Sequence, residues 1–167
     1  MPDFLRCHPF PVAAFLMLAL FGGGARMAIG GIYTGIEAIQ LLESLARAGL
    51  YLASAIATGS ATIMALMLTL IGMMRRMDQS FDDQAYRNIE LIARLATINL
   101  LIALVLLLAF VFPVGEFEQL PARWFDTLYD VLFATCVMNI CLAGAMVVLI
   151  YTTTRLVIAK ITPGDEV

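Results

Sequence analysis

The sequence predicts an all-α integral membrane protein, a bundle of four transmembrane helices with both termini cytoplasmic. Three observations carry this. Of 167 residues, 62% are apolar and 14% charged, against about 45–50% and about 25% in an ordinary soluble domain. The mean hydropathy is +0.92. The charged residues also leave four long gaps: Cys7–Ala25 (19 residues), Ala48–Met74 (27), Leu95–Gly115 (21) and Val131–Thr154 (24). About 20 apolar residues carry a helix across a hydrocarbon core of about 30 Å, so the lipid bilayer is the expected solvent and first partner. A formal charge of −3 gives no basic footprint, and no nucleic-acid partner is expected.

The first gap has two readings. Its apolar run, Val12–Phe21, stops at Gly22-Gly23-Gly24, so it resembles the apolar region of a secretory signal, with Arg6 upstream and Gly23-Gly24-Ala25 as a cleavage site. The alternative, adopted here, is a Gly-rich span over 11–34 with Arg26 inside it. Pro11 suits its first turn, where the missing N–H is not needed.

The second span covers 48–74 and ends at Arg75-Arg76. Ahead of it, positions 36, 39, 42, 45 and 46 are apolar at helical spacing, and Glu43 and Arg47 are i,i+4 partners. This predicts an interfacial amphipathic turn or an outward extension of the second span. A cytoplasmic loop follows over 75–90. Within it Ser80 and Asp83 form a capping-box-like pair, so the third helix should begin near Phe81. The third span covers 91–113, where Pro113 stops it, and an external loop occupies 114–126. The fourth covers 129–155. Between Trp124 and Thr162 it has no proline and one glycine, Gly144, which predicts a helix longer than the bilayer is thick.

Orientation follows from the basic residues. Arg6, Arg75, Arg76, Arg87, Arg94, Arg155 and Lys160 fall on one side, and only Arg47 and Arg123 on the other. By the positive-inside rule the first group is cytoplasmic, in an inner membrane of bacterial type. No linker or internal repeat divides the chain, so residues 1–167 read as a single membrane domain.

Several chemistries lack the residues they need. There is one histidine, His8, and there are three cysteines, with Cys136 and Cys141 about 140° apart on one helix. Haem ligation, metal hydrolysis and a Ser-His-Asp triad have no adequate set, and no phosphate-binding or dinucleotide motif occurs. No enzyme activity, cofactor or metal is expected.

Function must then sit among the polar residues that lipid makes expensive. Arg26 is a candidate cation in an ion pathway; the plainer reading is that it snorkels or pairs with an acid such as Asp130. Gly31 and Gly35 have the small-xxx-small spacing of a packing face. On the second helix Ser54, Thr58, Thr62 and Thr69 share one face within about an 80° arc to either side of Thr58. Hydroxyls there suit a hydrated pore or simple packing, and Ala53, Ala57, Ala61 and Ala65 form an overlapping i,i+4 ridge. Arg87, Glu90 and Arg94 make a charged stripe at the cytoplasmic entry of the third helix, either self-neutralised or a gate. Asn99, Thr135 and Asn139 are candidates for hydrogen bonds between helices. Asp126 and Asp130, also i,i+4, suit a cation-collecting mouth or an ordinary solvated helix end.

The functional expectation is a homo-oligomeric ion channel or passive pore, because a protomer of four narrow helices leaves little room for a pathway of its own. The alternative is a non-conducting structural or accessory subunit of a larger membrane complex, with the Gly and Ala ridges as docking faces.

Overall fold

The computed structural model describes residues 9–29, 35–74, 83–111 and 122–161. All of these are helical: α1 (Pro9–Ile29), α2 (Gly35–Met74), α3 (Asp83–Val111) and α4 (Ala122–Ile161). All four are long and apolar enough to cross a membrane, over Pro9–Ala28, Leu41–Met73, Tyr86–Val111 and Thr127–Arg155. The chain is therefore a multi-pass helical membrane protein whose apolar helices contact lipid. A helix hydrogen-bonds its own backbone, which is why it is one of the few structures that hydrocarbon tolerates.

The segment ahead of the second span is an extension of it, since α2 runs unbroken for 40 residues. At 1.5 Å per residue that is about 60 Å, roughly twice the hydrocarbon thickness. The fourth helix is equally long at 40 residues. In the N-terminal part of α2, Glu43 and Arg47 pair across one turn at 3.3 Å.

Helices α2, α3 and α4 pack on one another and α1 packs chiefly on α4. Contacts run in opposite directions between α2 and α3, between α3 and α4 and between α1 and α4, whereas α2 and α4 lie side by side in the same direction. Gly49 of α2 lies at Phe110 of α3 and Ser60 at Asn99; on the other side Arg26 of α1 meets Asp130 of α4, Gly22 meets Val137 and Leu18 meets Gly144. The topology is thus up-down-up-down.

Two apolar clusters fill the three-helix core. One joins Leu42, Ala53, Leu106, Tyr129, Leu132 and Cys136, and the other joins Ile92, Ala96, Met146 and Leu149. Much of the remaining apolar surface, including Leu20, Phe21, Leu101, Val105 and Val147, is exposed. On a soluble protein such patches would be a liability; in a bilayer they face a solvent as apolar as themselves.

The α1/α4 seam depends on a missing side chain. A Cβ at Gly22 would sit 2.5 Å and 2.8 Å from the two methyls of Val137. Valine is stiff about its first side-chain torsion and cannot swing clear. At Gly24 nothing lies within 4 Å. We predict that Gly22→Ala destabilises the protein in detergent by about 1–3 kcal/mol through overpacking. Gly24→Ala is predicted neutral or stabilising, by up to about 1 kcal/mol from helix propensity. Thermal unfolding of both variants tests this, and equal effects would contradict it.

Candidate functional site

Three polar arrangements stand out against the apolar background, and each solves the cost of a polar group in lipid differently. The first is the hydroxyl row of α2. Ser54, Thr58, Thr62 and Thr69 are exposed, turned away from the α2/α3/α4 core. Thr58 donates to the Ser54 carbonyl at 2.9 Å, Thr62 to the Thr58 carbonyl at 2.9 Å and Thr69 to the Ala65 carbonyl at 3.0 Å. With the proton donated inward, each hydroxyl oxygen keeps lone pairs for a group outside the protomer. Gly59, Ala61, Ala65 and Gly72 are exposed around the row, so another helix can approach closely.

The alanine ridge does not stay on that face. Ala53 is buried in the core, Ala57 is half-buried, and Ala61 and Ala65 are exposed. Four residues turn a helix by 400°, so an i,i+4 ridge drifts 40° per step and here winds from inside to outside.

The second arrangement is an ion pair between α1 and α4. Arg26 Nη2 lies 2.6 Å from Asp130 Oδ1, and Arg26 Nε donates to the same oxygen at 2.8 Å. The guanidinium also lies 5.8 Å from the Tyr129 ring centre, within cation-π range. Both side chains are partly exposed, Arg26 by 37% and Asp130 by 50%. The pair caps a groove of about 420 Å³ whose lining includes Phe15, Ala19, Gly23, Phe133 and Ala134. It lies on the α1/α4 side of the molecule, away from the outward face of α2.

The third is a buried polar layer. Ser60, Asn99 and Asn139 are each no more than 1% exposed, on α2, α3 and α4 in turn. They separate the two apolar clusters near the middle of the spans. Asn99 Nδ2 donates to Ser60 Oγ at 3.3 Å, so the expected bond between helices forms, with a partner that the sequence did not single out. Ser60 follows Thr58 by two residues and therefore lies about 200° around the helix from it; the outward row hid it. Among the described residues Asn99 Oδ1 and both polar atoms of Asn139 have no partner. Thr135 instead donates to the Val131 carbonyl of its own helix at 2.7 Å.

At the end of the bundle where α3 begins, Glu90 and Arg94 pair at 2.6 Å with both side chains largely exposed, and Arg87 is exposed beside them. Across the helix pair, Thr97 Oγ1 lies 3.5 Å from Met64 Sδ. Gly31, Ser80 and Phe81 lie outside the described residues, as do the surroundings of Gly35 and the side chains of Asp83 and Asp126. Among the described residues no group of three His, Cys, Asp or Glu side chains is placed to hold a metal.

An unpaired amide in a core costs about 1–3 kcal/mol, whereas an apolar group of similar size costs nothing there. Asn139→Leu is accordingly predicted to raise stability by about that amount. Unfolding in detergent checks this, and a destabilised variant would mean that the amide is paired. No protein-family model, curated protein or solved structure matches the chain.

Proposed function

We propose that the chain is one protomer of a homo-oligomeric passive pore for cations, without catalytic activity, in an inner membrane of bacterial type with both termini cytoplasmic. The observation that supports this is the direction of the α2 hydroxyl row. The protomer core is filled by side chains, while Ser54, Thr58, Thr62 and Thr69 are exposed on its outside. A pathway formed by repeating α2 about an axis would run between protomers, with hydroxyl oxygens as its lining. The Thr58, Thr62 and Thr69 hydroxyls donate to carbonyls one turn back on their own helix, which leaves oxygen lone pairs that suit a partly dehydrated cation better than an anion. The Arg87/Glu90/Arg94 stripe would stand at the inner entry. Asp130, paired with Arg26 on the α1/α4 side, stands away from that pathway, so at the outer end only Asp126 would supply acidic charge.

A second reading has its own support. The same three threonines are already satisfied by their own backbone, and a row of small, satisfied side chains suits tight packing against a partner in a larger complex. Cation flux into liposomes separates the two. The pore reading predicts flux from the purified protein that falls when Thr58 and Thr62 are both replaced by Val. Absence of flux at either polarity contradicts it and leaves the non-conducting subunit.

A further inference from the structure

The groove between α1 and α4 has the dimensions and chemistry of a lipid slot. Arg26 lies two residues inside the end of the first span and Asp130 three residues inside the start of the fourth. Near the ends of both apolar spans, the ion pair is within reach of the headgroup level. From there the groove runs along α1 to Phe15 and along α4 to Cys141, eleven residues on each helix. At 1.5 Å per residue that is about 16 Å, close to half of a hydrocarbon core of about 30 Å. A groove of this length reaches from the headgroup level to the end of one leaflet's acyl chains. Small side chains, Ala19, Gly22, Gly23 and Ala134, keep it open, and Phe15 and Phe133 add aromatic surface.

The charged end narrows the choice of headgroup. Arg26 places both of its contacts on Asp130 Oδ1. Among the described residues Arg26 and Asp130 make no other hydrogen bond, so Asp130 Oδ2 and the other guanidinium N–H groups can meet a further polar group, and both side chains are partly exposed. A group that answers both carries an anionic oxygen for Arg26 and a hydrogen-bond-donating cation for Asp130. We propose that this groove is a specific site for an aminophospholipid, with its phosphate on Arg26, its primary ammonium on Asp130 and one acyl chain along Gly23 and Ala134. A quaternary ammonium fits less well, because it has no N–H to donate. An uncharged polyol headgroup on a phosphate offers Asp130 only neutral hydroxyl donors and no cation to offset the phosphate's charge beside the carboxylate.

Two glycines allow a clean test. A Cβ at Gly23 or at Gly24 meets nothing within 4 Å, so a side chain can start at either without a clash at Cβ, but only Gly23 lines the groove. The measurement is the lipid retained by delipidated protein after mixing with phosphatidylethanolamine, phosphatidylcholine or phosphatidylglycerol, read by native mass spectrometry. Phosphatidylethanolamine should be retained about tenfold more than the other two, the scale of one charge-assisted hydrogen bond. Gly23→Leu should abolish that retention and Gly24→Leu preserve it. Arg26→Gln should remove the headgroup preference. Retention without headgroup preference would reveal ordinary annular lipid and overturn the proposal. Preference for phosphatidylglycerol, or equal retention by the two leucine variants, would overturn it as well.

Discussion

Everything in this structure follows from the absence of water around most of it. In hydrocarbon a polar group without a partner costs several kcal/mol, roughly what a whole domain has in reserve. Helices meet that constraint for the backbone, so the described residues are all helix. The side chains then divide by how they meet it. Thr58, Thr62, Thr69 and Thr135 return to carbonyls one turn back. Arg26 and Asp130 answer each other near the membrane boundary. Ser60 and Asn99 answer each other inside the core.

Asn139 does not fit this economy, and its position gives it a meaning. It sits with Asn99 and Ser60 between two apolar clusters, so sliding any of the three helices by a turn would move a polar side chain into a purely apolar layer. A polar layer that weakens a core can still fix its register, as single buried asparagines do in coiled coils. Seam and core thus divide the labour: Gly22 against Val137 sets how close α1 comes, and the amides set how α2, α3 and α4 align.

Composition and charge gaps made the spans legible, because hydropathy over twenty residues is a long, redundant signal. The Glu43–Arg47 and Glu90–Arg94 pairs were legible too, since i,i+4 spacing alone brings them together. The sequence offers Asp130 as one partner for Arg26, and the two meet because of the antiparallel register of α1 on α4. Ser60 was not legible at all. Its partner Asn99 is 39 residues away, and one sequence cannot say which face of α2 is inside when both carry hydroxyls. The groove beside Phe15 and Phe133 was equally hidden, because it belongs to two helices at opposite ends of the chain.

The account rests most heavily on the outward face of α2 being a contact between copies of this chain. Its mass in lipid nanodiscs or native membrane particles tests that most directly. The account predicts one discrete species at an integer multiple of 18.2 kDa, three or more copies, so that an axis can be enclosed. A monomer that persists as the protein-to-lipid ratio rises would contradict it.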